Sequence, residues 1–363
     1  MRNLSISFII PLIAILSGCQ SSEDRTTKLT DKTASFSESL DAYFRSVPEF
    51  SGNVLVAQNG EVLFSKSYGY ADIEFKILND RGTKFKIGSI TKPFTAMAVL
   101  KLVEEGKLKL TDTVGKFIPE MPRHWQSLTI HQLLSHTSGL IHTWDILEDS
   151  TLMFQKSSLK NTLSWYFDKP LQFEPGTSFS YSGVGYLILA AIIESLTNST
   201  YDEYLKKVIF EPLNMKDTGP SNPEAIIQKL ARGYIIDSTG VRNAPNFYVP
   251  LLTGGGHLYA TSHDLLKWDS ALSNFSILSE EMTEKMYAPV LENYGYGWDI
   301  VKNDTLNMVF HTGFIPGYLS RIDRYLDYDL TLIILTNYQA DWSPTDSWDI
   351  TKIIFEGLQK KEN

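Results

Sequence analysis

Near the C-terminal end of the chain, Leu332-Ile333-Ile334-Leu335 runs without a polar interruption. A strand with one wet face alternates apolar and polar residues. An unbroken run bounded by polar residues instead reads as a central strand covered on both faces. Such a strand needs a neighbour on each side. Residues 308–312 and 318–325, just before it, are further strand-forming segments. At the front of the chain, Gly52-Asn53-Val54-Leu55-Val56-Ala57 and Val62-Leu63-Phe64-Ser65 flank Asn59-Gly60, a strong signal for a tight hairpin. The middle is helical by pattern, at 157–167, 185–196 and 201–209. An amphipathic helix over 36–45 opens the folded region, and a helix over 349–358 closes it. The expected fold is therefore α+β: an antiparallel sheet from both chain ends, flanked by helices, with a mainly helical domain inserted. Residues 36–360 form this unit, with the sheet region at 36–88 and 234–360 and the helical region at 89–233. No period of 20–50 residues recurs, which excludes a solenoid.

Ser89-Ile90-Thr91-Lys92 opens an apolar helix carrying Phe94, Met97, Ala98, Leu100, Leu102 and Val103. Pro93 is tolerated only in a first turn, and Gly106 suits the residue after the last. Ser89 thus stands at the helix start, with Lys92 on the same face. A serine hydroxyl is a poor nucleophile until a base takes its proton, and a neutral lysine can be that base. For Lys92 to be half neutral at pH 7, its pKa must fall from ~10.4, a shift of roughly 4–5 kcal/mol at 1.36 per unit. Burial and nearby positive charge are the available causes. The same spacing recurs at Ser157-Ser158-Leu159-Lys160, in a polar stretch with no long apolar helix attached.

The chain has 363 residues, 43% of them hydrophobic, and a net charge of −9. Acidity and the lack of a basic patch argue against a nucleic-acid partner. The histidines are scattered without H-E-x-x-H, so a zinc hydrolase is not expected, and G-x-S-x-G is absent. No metal or organic cofactor is called for. Arg2 followed by an apolar run over 6–16 has the length of a signal-peptide core, too short to span a bilayer. Leu16-Ser17-Gly18-Cys19 ends it. That stretch resembles a bacterial lipobox, which implies removal of residues 1–18 and lipidation of Cys19. Residues 19–35 read as a polar, flexible tether. The expected address is an exported bacterial lipoprotein on a cell-envelope membrane, periplasmic or outer. The only cysteine in the chain permits no internal disulfide.

Several stretches in order resemble the serine β-lactamase and penicillin-binding-protein superfamily. The closest likeness is to class C β-lactamases, D-alanyl-D-alanine carboxypeptidases and related esterases. They are Gly88-Ser89-Ile90-Thr91-Lys92, Leu134-Ser135-His136-Thr137-Ser138-Gly139, Phe173-Glu174-Pro175-Gly176 leading to Tyr181-Ser182, Ile209-Phe210-Glu211-Pro212-Leu213 and His311-Thr312-Gly313. The resemblance implies a β-lactamase-like fold and a metal-free acyl-enzyme mechanism. Ser89 would be the nucleophile, and Lys92 and Tyr181 would move protons, with the choice of base left open. Thr312 would bind a substrate carboxylate or carbonyl, Gly313 would let the backbone approach, and the amides of Ser89 and Phe314 would form the oxyanion hole. His311 stands where many relatives have lysine, and offers a weaker attraction for anions.

The family's asparagine, two residues after the tyrosine, falls at Gly183, so a contact to a substrate amide is missing from its usual place. Trp298, Tyr296, Phe314 and Tyr318 are candidates for pocket walls, and His136 for a loop packed below the site. The expected activity is a serine hydrolase acting on an amide or ester carbonyl of a small-molecule or peptide substrate. It would be D-Ala-peptidase-like or esterase-like, with weak β-lactamase activity at best, and monomeric. The rival is a non-catalytic penicillin-binding or sensor lipoprotein of the same fold.

Overall fold

The computed structural model describes residues 36–147, 151–340 and 348–359. Cys19, the signal segment and the tether lie outside the described residues. Helix α1 (36–46) buries Phe36, Leu40 and Phe44. The hairpin of β1 (Gly52–Gln58) and β2 (Glu61–Tyr68) turns on Asn59 and Gly60, with φ of 51° and 75°. Both are left-handed values that asparagine and glycine tolerate. Then come α2 (Thr91–Glu104), α3 (Gly183–Thr197) and α4 (Ser262–Ser273). Strands β3 (Asp299–Lys302), β4 (Asn307–Ile315), β5 (Tyr318–Tyr325) and β6 (Leu330–Thr336) follow, and α5 (Trp348–Gln359) closes the fold.

These strands form a six-stranded antiparallel sheet in the order β3-β4-β5-β6-β1-β2. β6 is buried along its whole length and pairs Val54 with Ile334 and Val56 with Leu332. The two-residue period of a strand divides its side chains between two layers. Val54, Val56, Leu332 and Ile334 meet Phe36, Phe44, Ile350 and Ile354 of α1 and α5. Leu55, Ile333 and Leu335 face the larger core with Met97 and Trp268. Each fully buried side chain of this kind contributes about 1.5–3 kcal/mol. Asp269 of α4 pins that helix to the sheet: its carboxylate pairs with buried Arg324 of β5 and accepts from Thr331 Oγ1 of β6 at 2.7 Å.

The sheet proper resumes at Asp299, later than the sheet region expected from residue 234. Residues 234–243 make a separate small hairpin, and α4 lies between. Leu265, Leu266, Trp268, Ala271 and Leu272 explain α4, because their spacing of three and four residues places them on one buried face.

β3 runs out at Asp299, opposite Phe310, so the next residues of β4 lack a strand on that side. The short 3-10 turn Gly88–Ile90, just ahead of α2, comes up to this exposed stretch. Gly313 permits the approach, since a β-carbon there would collide with the Ile87 carbonyl and the Ser320 hydroxyl. The other Ser-x-x-Lys stretch is held quite differently. Ser158 caps a short helix by accepting from Asn161 N, and the exposed Lys160 reaches Glu120 at 3.4 Å.

Candidate active site

Two helix starts converge beside the open stretch of β4. Ser89 lies in the turn leading into α2, and Lys92 lies in the first turn of that helix. Lys92 Nζ is 3.1 Å from Ser89 Oγ and donates to the Gly255 carbonyl at 2.9 Å. The ammonium is buried, and burial lowers its pKa from 10.5 to about 7. No acidic side chain hydrogen-bonds to it to restore the charge, among the described residues. Sequence inspection gave no role to the loop Gly254-Gly255-Gly256. Its glycine triplet was the available signal. Gly254, with φ of +78°, also accepts from Thr95 Oγ1 at 2.6 Å.

Tyr181 arrives from the other helix, immediately before Ser182, the N-cap of α3. Its ring centroid is 4.5 Å from Lys92 Nζ. Burial pushes the phenol pKa upward, while a hydrogen bond with the Ser89 side chain acts in the opposite direction. His136 lies beneath, with its ring centroid 4.3 Å from that of Tyr181. Its Nδ1 accepts from Ser182 N at 3.0 Å, so the ring fixes the backbone next to the phenol. Burial and the Lys92 charge hold His136 well below its ordinary pKa.

His311 of β4 is buried, with Nε2 3.1 Å from Tyr294 Oη and Nδ1 2.7 Å from the Thr312 carbonyl oxygen. Burial and Lys92 lower its pKa to about 3, so the ring is neutral. Both nitrogens are thus engaged by the protein, in a region where sequence inspection expected a substrate-binding group. Thr312 is partly exposed and Phe314 is exposed, as residues on the open edge should be. The Phe314 amide lies against Gly88, beside Ser89.

The pocket at this junction is lined by Ser89, Lys92, His142, Thr143, Trp144, Gly183, Leu252, Gly255, Gly256 and Phe314. Of the aromatic residues singled out in the sequence, Phe314 alone lines it. Trp298 stacks on Trp268 in the core, Tyr296 bonds to His131, and Tyr318 donates to the Ala231 carbonyl. His142, Thr143 and Trp144 escaped sequence inspection, because they follow the motif at 134–139 without a pattern of their own. His142 stacks on Tyr181 with centroids 5.5 Å apart, and burial and Lys92 lower its pKa to about 4. A serine beside a base, a phenol and two nearby amides can carry out acyl transfer through a covalent intermediate.

The family model described as Beta-lactamase matches residues 40–351. The chain is similar to penicillin-binding protein 4* of Bacillus subtilis (strain 168), 33% identical over 321 residues, covering 81% of this chain and 69% of that protein. It is also similar to protein flp of Staphylococcus aureus (strain NCTC 8325 / PS 47), 28% identical over 305 residues. That match covers 80% of this chain and 60% of the relative's length. Among solved structures, a penicillin binding protein from Bacillus halodurans matches with a TM-score of 0.75 at 26% identity, covering 84% of this chain and 97% of that one.

Proposed function

Because the chain belongs to the β-lactamase family, we propose that it is a serine hydrolase that works through an acyl-enzyme on an amide or ester carbonyl, in the manner of a D-Ala peptidase or esterase. The observation that carries this reading is the 3.1 Å approach of Lys92 Nζ to Ser89 Oγ, with burial lowering the pKa of the amine to about 7. Ser89 Oγ attacks the carbonyl carbon while neutral Lys92 takes its proton. The Tyr181 phenol, kept protonated by burial, then supplies a proton to the leaving group and recovers one from Lys92. The oxyanion sits between the amides of Ser89 and Phe314, donors worth ~2.7–4 kcal/mol each in the transition state. Water attacks the acyl-enzyme by the same route in reverse. Neutral His311 leaves the carboxylate of a β-lactam without the attraction of a lysine charge, so β-lactamase activity is weak at best.

Residues 1–19 support export and lipid anchoring at Cys19, with the enzyme tethered as a monomer to an envelope membrane. The test is intact-mass spectrometry after a fluorophosphonate probe, with p-nitrophenyl esters, D-Ala-D-Ala peptides and nitrocefin assayed on the same sample. The expected result is one adduct on the wild-type protein, none on Ser89→Ala, and slow nitrocefin turnover. An unlabelled wild-type protein would favour a non-catalytic binding role, and rapid nitrocefin turnover would overturn the substrate assignment.

A further inference from the structure

Gly183 removes a side chain from the pocket wall, and the space is taken. A β-carbon on Gly183 would lie 2.5 Å from Thr143 Oγ1 and 2.8 Å from Thr143 Cγ2. Thr143 thus occupies the volume into which a side chain at 183 would project. Its position is fixed from several directions. Tyr166 Oη donates to the Thr143 carbonyl at 3.1 Å, Ser182 Oγ donates to the Ile141 carbonyl at 2.8 Å, and His142 N donates to Asp145 Oδ2 at 2.9 Å. Among the described residues, the Thr143 hydroxyl has no hydrogen-bond partner, though the residue lines the pocket with Ser89 and Lys92. Facing the pocket, this hydroxyl is free to bond a group that arrives there.

His142, next to it, has a defined tautomer. Its Nδ1 accepts from Trp144 N at 3.1 Å, so in the neutral ring Nε2 carries the hydrogen. That N–H also has no partner among the described residues. A threonine hydroxyl can accept from an N–H or donate to a carbonyl, and an imidazole N–H can donate to a carbonyl. Together they match the two polar groups of a secondary amide.

We propose that Thr143, assisted by His142, binds the acylamido group of the substrate in place of the missing side chain at Gly183. The preferred substrates are then N-acylated amino-acid esters and amides rather than plain carboxylic esters. This deepens the serine-hydrolase reading and rests on it.

The test compares p-nitrophenyl N-acetylalaninate, in both enantiomers, with p-nitrophenyl propionate, which lacks only the acylamido group. The quantity read is the ratio of their kcat/KM values, normalised to the uncatalysed rates. The wild-type protein should favour the amide-bearing ester. Thr143→Val keeps the shape and should cut the ratio about tenfold, within the range of one hydrogen bond, while Thr143→Ser should restore it to within about threefold. Gly183→Asn should lose the preference through collision with Thr143, and Thr143→Ala combined with Gly183→Asn should regain it. An unchanged ratio in Thr143→Val, or no preference in the wild-type protein, overturns the proposal while leaving the hydrolase intact. Hydrolysis of neither ester above the Ser89→Ala background, with no fluorophosphonate adduct, overturns both.

Discussion

The amide nitrogen of Phe314 and the backbone of Gly88 stand so close that a β-carbon on Gly88 would lie 2.7 Å from that nitrogen. Gly88 also has φ of +52°, in the left-handed region. Gly88→Ala therefore pushes strand β4 away from the nucleophile and adds about 1–2 kcal/mol of backbone strain. The expected outcome is at least a hundredfold loss of fluorophosphonate labelling at Ser89, together with a lowered melting temperature. Labelling at the wild-type rate would show that the spacing of these two residues is not needed.

Lys92 sets the pH dependence of acylation. With a folded pKa of about 7, kcat/KM should rise through that pH as the amine loses its proton, then level off. Lys92→Met should lower kcat/KM by roughly ten-thousandfold, the scale seen when one member of a catalytic triad is disabled. A pH–rate profile on a neutral ester checks both. A rate independent of pH between 6 and 8 would exclude the buried amine as the base.

Tyr181→Phe removes the phenol and keeps the ring. If the phenol delivers the proton to the leaving group, the variant should lose about a hundredfold on amide substrates. The loss should be smaller on p-nitrophenyl esters, whose leaving group needs no proton. Equal losses on both would place the phenol in the attack step instead, and no loss on either would leave Tyr181 a packing role only.

The site also makes the fold sensitive to acid. His311 and His142 have folded pKa values of about 3 and 4, and His136 also lies well below 6.5. Below pH 6.5 the unfolded chain binds protons that these folded rings refuse. Stability therefore falls as pH drops from 6.5 toward 4, at up to about 1.4 kcal/mol per pH unit for each ring. Asp299 opposes this, since burial raises its carboxyl to about 6 and the folded state takes up that proton first. Three rings outweigh one carboxyl, so urea midpoints should decline across this window. His311→Asn should make the decline shallower.

Asp269 is the corresponding weak point of the scaffold. Asp269→Ala leaves the Arg324 guanidinium buried without its carboxylate partner. A loss of about 3–5 kcal/mol is expected from urea unfolding. A loss below 1 kcal/mol would mean that Ser273 and Tyr287 suffice to hold the charge.

Those features that depend on local pattern were visible in the sequence. The run 332–335 announced a central strand, and Asn59-Gly60 announced its hairpin. Pro93 and Gly106 bracketed the helix that presents Ser89. Local context also distinguished the two Ser-x-x-Lys stretches, since only the first is followed by an apolar helix. Contacts across the fold were not visible. Nothing near residue 183 reveals that Thr143 fills its missing side chain, nor does Gly255 announce that its carbonyl will hold Lys92. His311 reads as a substrate contact from its place in the strand, yet the structure engages both its nitrogens with Tyr294 and Thr312. Such facts arise from packing between segments remote in the chain.

The pairing of β1 with β6 joins segments from opposite ends of the polypeptide. Until residues 330–336 have been made, the first hairpin keeps one bare edge, rich in valine and leucine, and an open edge of that kind recruits foreign strands. A product cut short ahead of Leu330 is therefore sticky rather than merely inactive. Completion of synthesis is itself the quality check on this architecture.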